Sequence, residues 1–381
     1  MNADFADNRN YSSPDNGLTP ALLLRNGVPS PVPADLGPGY GAVPVGSPVI
    51  LSPDYIDQNH QNLYAHHFNF SLQKQLTGTT LLQLEYLGNM SHRVGGPGTV
   101  NINETRPELR GATQSQVLRP FPQFGNVLWR APGWGNSTYN ALNIKVEKRF
   151  SKGMNLLGTY TWSKALEDIP SGSELAGAAA SGQQSYYARH LDKGLSGNDI
   201  RHRLALSFVY ELPVGKSRYF AIGNRVLDAV FGGWSIGMIS EVRSGSPYSV
   251  YEQTNRLNSF SPGQRSSIVS NPALPTDRPR AQLVQQWFDV NAFVFPGNGV
   301  LGNASRSPGI GPGFVNFDTS VLKDFHLNEK RYFQFRGQFY NLFNRANFAN
   351  PNGSRGNPGF GQISAVRNDG RFVQLTLRFV F

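Results

Sequence analysis

The chain has 381 residues, a formal charge of +10 from 35 basic and 25 acidic side chains, and no cysteine. Disulfide frameworks, thiolate zinc sites and cysteine nucleophiles are therefore excluded. Charged residues are 16% of the chain, below the usual share of about 25%, and 41 Gly with 26 Pro describe a turn-rich, helix-poor polypeptide.

No stretch reaches the roughly 18 apolar residues that a membrane-crossing helix needs; the best runs are as short as Ala21 to Leu24 and Ala176 to Ala180. A transmembrane barrel is compatible with the same composition, because only alternate residues of each strand face lipid. The segment Met1 to Arg9 has neither a basic nor an apolar stretch of the export-signal kind. The positive charge comes from 26 Arg and nine Lys spread along the chain without a basic run. Nucleic acid is therefore not an expected partner.

Residues 1–60 are rich in Pro, Gly, Asn and Asp and carry no sustained period. They read as a loop-rich segment, an extracellular loop of a larger barrel. From 61 to 381 a period of two dominates. Tyr64, Phe68, Phe70 and Leu72 share one face, a turn at 76–78 follows, and Leu82, Leu84 and Tyr86 return. Leu142, Ile144, Val146 and Phe150 then alternate with Asn143, Lys145, Glu147 and Arg149, turn at 151–153, and continue as Met154, Leu156, Tyr160 and Trp162. A third pair sets His202, Leu204, Leu206, Phe208 and Tyr210 against Arg203, Ser207 and Glu211 and returns through Trp234, Ile236 and Met238. A fourth runs Phe314 to Phe325, then Phe333, Phe335 and Phe339 against Tyr332, Gln334, Arg336, Gln338 and Tyr340. The last segment carries Val373, Leu375, Leu377, Phe379 and Phe381 on one face and Arg378 on the other.

A soluble sandwich also alternates apolar and polar residues. Two features favour an antiparallel transmembrane barrel. The segments run to about 10 to 14 residues, beyond the usual 5 or 6 of soluble sheets and close to the span of a tilted transmembrane strand. Connections also alternate: 76–78, 151–153 and 326–330 are short, whereas 91–136, 166–199, 245–313 and 344–370 are long. That is the outer-membrane arrangement. The exception is 213–231, where Asn224 to Phe231 is expected to form a short helix. The pattern gives nine long strands, an odd number, whereas single-chain bacterial barrels have even counts. A C-terminal part of a larger barrel is therefore expected, folded as an open sheet whose first and last long strands do not pair; a tenth strand near Val43 to Leu51 would weaken that reading.

Several segments resemble the C-terminal barrel of Oar-like TonB-dependent outer-membrane receptors. They are YNALNIKVEKRF from Tyr139 to Phe150, TYTWSKA from Thr159 to Ala165, DIRHRL from Asp199 to Leu204 and YELPVG from Tyr210 to Gly215. GGW at Gly232 to Trp234 with SGSPY at Ser244 to Tyr248, and FYNLFNRANF from Phe339 to Phe348, complete the set. The resemblance implies a barrel of about 22 strands closed by a plug, which imports a ligand across the outer membrane with energy supplied through TonB. No plug or TonB-contacting segment is recognisable in these residues, so TonB is expected to act only through a further N-terminal region. The resemblance further implies outer-membrane lipid and lipopolysaccharide as surroundings. The strand with Leu375, Leu377, Phe379 and Phe381 looks like the signal read by the barrel-assembly machinery. The alternatives are an adhesion or secretion-linked surface barrel without transport, an outer-membrane hydrolase and a soluble β-sandwich binding protein.

No catalytic, cofactor or metal site is expected. His66 and His67 fall on opposite faces of a strand, and Arg201, His202 and Arg203 sit at a strand start without an oriented acid or nucleophile. The glycines of Gly309 to Gly313 precede no helix, and Glu167 with Asp168 read as solvated loop charge. Lys145, Glu147, Arg149, Arg203, Glu211, Gln334, Arg336, Gln338 and Arg378 lie on the polar face and are the lumen-facing candidates, expected to pair with unlike charges on neighbouring strands. Ligand recognition is assigned to the long loops, where the Tyr, Asn and Arg of 91–136 and 245–313 suit a carbohydrate or a peptide.

Overall fold

The computed structural model describes residues 42, 44–46, 52–59, 61–94, 99–130, 133–169, 183–216, 218–328 and 330–381. Nine long strands form one antiparallel meander in chain order: β1 (Tyr64–Thr77), β2 (Thr80–Val94), β3 (Gly135–Ser151), β4 (Met154–Glu167), β5 (His202–Glu211), β6 (Trp234–Arg243), β7 (Phe314–His326), β8 (Tyr332–Tyr340) and β9 (Phe372–Val380). A short strand, Gly194–Leu195, pairs with the end of β4. Among the described residues, no helix is long and apolar enough to cross a membrane.

The register explains why the alternation matters. Leu72 faces Leu84, Leu84 faces Ile144, Ile144 faces Tyr160 and Tyr160 faces Leu204, so one rung of apolar side chains crosses five strands. Beyond it, Ile236 faces Val321, Phe335 faces Leu377 and Phe333 faces Phe379. A slip of one residue anywhere would exchange the faces of that strand. The apolar face is uncovered, with Phe70 70% and Leu377 67% exposed. Among the described residues no second sheet lies on it, and the sandwich reading is set aside. Gly88 fits the same face, because a Cβ there would fall within the Phe68 ring.

Short connections gather at one end of the sheet. Lys152 and Gly153 both have positive φ, 50° and 77°, the requirement of a two-residue turn whose twist matches its strands. The first turn is tighter than the sequence indicates: β1 continues to Thr77 through a bulge after Gln75, leaving Gly78 and Thr79 as the corner. The exceptional connection between β5 and β6 contains α1 (Arg225–Phe231), as expected from 224–231.

No ladder joins β1 to β9, so both strands are sheet edges, as expected for nine strands without partners. The tenth strand considered near Val43 to Leu51 lies mostly outside the described residues. Asp54–Tyr55 pairs in parallel with Leu128–Arg130, which places this part of 1–60 among the long connections.

The face assignment is testable with a matched pair. Val321→Arg puts a charge on the apolar face of β7 and should disfavour membrane assembly by about 2–4 kcal/mol if it sits near the bilayer midplane. Ser320→Arg, one residue away and paired with Gly237 and Gln338 on the polar face, should be tolerated. Recovery of a heat-modifiable band from the membrane fraction distinguishes the two; equal recovery would contradict the assignment.

Candidate functional site: a polar cleft in the loop cap

The buried core lies in the long connections and not under the sheet. Tyr248, Val250, Phe288, Ala292, Phe293 and Ala304 form it, with Phe360 from the last connection packed against them. Tyr248 and Phe288 stack with centroids 5.1 Å apart. Short two-residue strands tie the loops together, Pro247–Tyr248 to Gly309–Ile310 and Tyr251–Glu252 to Ser354–Arg355. Gly245 passes so close to Gly311 that a Cβ would overlap its carbonyl, which requires glycine at that crossing.

Charged groups pin this cap. Arg265 Nη1 donates to Asp192 Oδ1 at 3.0 Å, and Arg265 Nη2 donates to the Leu191 carbonyl at 2.8 Å. Arg306 lies 3.3 Å from Glu167 and donates to the Ile169 carbonyl at 2.9 Å. All four of these side chains are buried, so each pair depends on its partner far more than an exposed pair would. Glu167 is thus the buried end of β4 and not the solvated loop charge expected from the sequence; the Arg306 guanidinium replaces its water. Gln184 completes the joint, its Oε1 accepting from Arg265 N and Gly302 N and its Nε2 donating to Gly302 O. Glu104 Oε2 accepts from Ser185 Oγ at 2.8 Å and from Tyr186 N at 3.1 Å. Burial pushes the Glu104 carboxyl up to about 7, against the lowering influence of those two hydrogen bonds and of Arg110. Burial also raises Asp192 and lowers Arg265, although each opposes the other's shift.

Between these pinned loops opens a cleft of about 850 Å³. Its walls come from 184–198, 246–265 and 350–367, and Asn and Gln are the most frequent side chains among them. Gln264 and Asn350 are committed to holding the walls: Gln264 Nε2 donates to the Gly297 and Val300 carbonyls, and Asn350 Nδ2 donates to the Pro247 carbonyl. Asn198, Tyr251 and Gln253 present exposed side chains to the cleft. Glu252 is neutralised by Arg355 at 3.1 Å. Arg367 donates to Ser246 Oγ at 2.9 Å and to Asn350 Oδ1 at 2.6 Å and has no carboxylate partner among the described residues. Burial and the nearby charge of Arg243 lower its pKa. The result is a rigid, weakly cationic cleft suited to hydrogen bonding.

The lumen-facing candidates all lie on the polar face by register or strand parity, but they pair differently from the expectation. Lys145 bonds Glu147 two residues along the same strand, at 3.0 Å, and Glu211 bonds Arg218 in the turn-end connection, at 2.8 Å. Arg203 does pair across strands, with Glu241 at 2.9 Å, and Gln334 donates to Asp324 of β7 at 3.0 Å. Gln338 donates to Tyr340 Oη at 3.3 Å. Arg149, Arg336 and Arg378 make no ion pair among the described residues. Side chains two apart on one face are about 6.6 Å apart along the strand, within reach of a long Lys–Glu pair, and the expectation omitted that geometry. His66 and His67 point to opposite faces, facing Met90 and Asn89. Leu375, Leu377, Phe379 and Phe381 are exposed along β9, where Phe379 stacks on Phe381 with centroids 5.6 Å apart.

The sequence reading singled out none of Glu104, Gln184, Asp192, Arg265 or Arg306. Their partners lie about 70 to 140 positions away, so no spacing announces them. The one available signal is the preference for Arg over Lys, since guanidinium is the usual cation of buried, multiply bonded sites.

Two predictions follow from the cap. A folded Glu104 that keeps its proton to about 7, against an ordinary 4.5, contributes stability that is complete below 4.5 and lost as the pH rises through about 7. Protease protection of the connection 95–134 should therefore fall between pH 5 and 8, while Glu104→Gln should flatten the profile. Arg265→Ala, which strands the Asp192 carboxylate, should loosen the cap by about 3–5 kcal/mol, read as earlier cleavage in 183–201 with the strands still protected.

Residues 1–374 match the family described as the outer membrane beta barrel domain. No curated protein matches the chain. Among solved structures it is similar to the outer membrane transporter YddB from Escherichia coli, at 9% identity and a TM-score of 0.44, covering 87% of this chain and 34% of that one. It is also similar to the ferric-catecholate import receptor Fiu from E. coli K12, at 12% identity and a TM-score of 0.39, covering 85% and 29%. For the FrpB iron transporter from Neisseria meningitidis the values are 10%, 0.36, 85% and 32%. The chain thus spans about a third of the length of these proteins. With the family match running over nearly all of its length and nine amphipathic strands beneath a loop cap, the chain belongs to the outer membrane beta barrel domain family and is a protein of the outer membrane.

Proposed function

We propose that this chain is the C-terminal wall and loop cap of an outer-membrane receptor that captures a ligand in the external cleft and imports it with energy supplied through TonB. The observation that carries the reading is the division of the molecule: the described parts of the four long connections are tied into one cap, with a cleft between three of them, at one end of a sheet whose two edges are free. An exposed edge cannot be left unpaired in hydrocarbon. Further strands of a longer protein are the natural partners for β1 and β9. The Oar-like motifs favour a TonB-dependent receptor over an adhesion barrel. The amide-lined cleft favours a hydroxyl- or amide-rich ligand, a carbohydrate or a peptide, held by Tyr251, Gln253 and Arg367. In this arrangement Lys145, Glu147, Arg149, Arg203, Glu211, Gln334, Arg336, Gln338 and Arg378 line a water-filled interior. The exposed apolar row Leu375, Leu377, Phe379 and Phe381 is the segment that the barrel-assembly machinery engages, and lipopolysaccharide surrounds the outer rim.

An antibody against residues 245–313 tests the architecture in fractionated native cells. A heat-modifiable outer-membrane band running far above the size of 381 residues is the expected result. A band of this chain's own size in the soluble fraction would defeat it.

A further inference from the structure

The connection between β5 and β6 breaks the rule of short turns, and its surface suggests why. α1 has seven residues, too few to persist without help. Asn224 supplies it at the N-terminus, its Oδ1 accepting from Val226 N at 2.9 Å and Leu227 N at 3.2 Å. At helical spacing Val226, Leu227, Val230 and Phe231 share one arc, while Asp228 points the other way and accepts from Lys216 N at 2.7 Å. The apolar arc is bare: Val226 is 70% exposed and Phe231 58%, and nearby Tyr219 is 87% exposed and Phe220 58%. Large apolar side chains clustered this densely mark a surface that water does not cover.

The attachment of the helix identifies the cover. Val230 O accepts from Trp234 Nε1 at 2.9 Å and from Lys323 Nζ at 3.5 Å, and the same ammonium reaches the Gly232 carbonyl. Trp234 and Lys323 face each other across β6 and β7 on the apolar face of the sheet, beside Phe335. The end of the helix is therefore fastened to the face that lies in lipid, and the bare patch continues that face beyond the turn end. Lys216 and Arg225 accompany the patch, Arg218 being turned to Glu211 at 2.8 Å, and Asp228 is the one acid within 212–233. Apolar residues with a cationic fringe, bordered by Trp and Lys, are the pattern of a segment lying in a headgroup layer.

We propose that the connection 212–233 is a membrane-interface anchor, with Tyr219, Phe220, Val226, Leu227, Val230 and Phe231 seated in the phospholipid leaflet at the turn end of the sheet. This rests on the reading of the apolar face as lipid-facing, and the test separates the two. The chain has no cysteine, so single introduced thiols are unique labelling sites. Phe220→Cys, Val226→Cys, Arg225→Cys and Leu204→Cys of the complete protein would each carry an environment-sensitive fluorophore in phosphatidylethanolamine–phosphatidylglycerol liposomes. Doxyl lipid and aqueous iodide would serve as quenchers. Labels in Phe220→Cys and Val226→Cys should shift to the blue and lose emission to shallow doxyl lipid, while Arg225→Cys loses emission to iodide. If iodide quenches all three helix-connection labels while Leu204→Cys answers to doxyl lipid, the anchor is refuted and the lipid-facing sheet stands. If the Phe220→Cys and Val226→Cys labels escape both quenchers, protein covers the patch, a second copy or another partner, and the anchor is again refuted. If Leu204→Cys also fails to answer to doxyl lipid, both readings fall.

Discussion

Every backbone amide and carbonyl that enters hydrocarbon has to find its partner within protein, and the rest of this structure depends on how that is done. An antiparallel meander satisfies each interior strand from both sides, which leaves side chains to decide only which face meets lipid. The register does this from β1 to β9 with shifts only near the ends of β1, β2 and β3, and Leu, Ile, Val, Phe, Tyr and Trp carry most of the middle of the apolar face. The lysines on that face stand towards its ends, Lys74, Lys148 and Lys323 at the turn end and Lys164 at the other, and the Gly232 carbonyl and the Trp234 ring receive the ammonium of Lys323.

The cap solves the opposite problem. Long connections satisfy only part of their backbone through short ladders, and buried amides and ion pairs supply much of the rest: Gln184 alone bonds two backbone amides and one carbonyl. Asn103 Nδ2 similarly donates to the carbonyls of Phe121, Phe124 and Gly125. This is specific and costly in desolvation, and it is visible in the raised carboxyl of Glu104. It also explains how a cleft can be polar and still keep its shape. The amides that hold the walls are bonded internally, which leaves a smaller group, Asn198, Tyr251 and Gln253, exposed to the cleft.

What the sequence reveals follows from the range of each interaction. Strand faces, hairpin positions and the short helix after Asn224 are set by neighbours within a few residues, and period-two alternation together with Lys152-Gly153 makes them legible. The count of nine and the two free edges follow from the same local signals. The cap is set by contacts such as Arg306 with Ile169 and Thr105 with Ser259, more than a hundred positions apart, for which no periodicity exists. Glu167 shows the consequence. Read locally, it is an acid at the start of a loop; in space it is the buried partner of Arg306.

The two ends of the sheet therefore differ in physical character, and that difference bears on orientation. At one end the chain is stiffened by buried charge and by a core of stacked aromatic rings, an arrangement that stands in water and can hold a cleft open. At the other, turns of two to five residues leave little to project, and the one larger connection among them turns its apolar residues outward and fastens its helix to the apolar wall through Trp234 and Lys323. On the proposed reading the cleft faces the side where solutes arrive, and Val226 and Phe231, bare in the structure, face a leaflet. Long loops outward and helix-bearing turn inward is the arrangement in which both surfaces find the surroundings their chemistry requires.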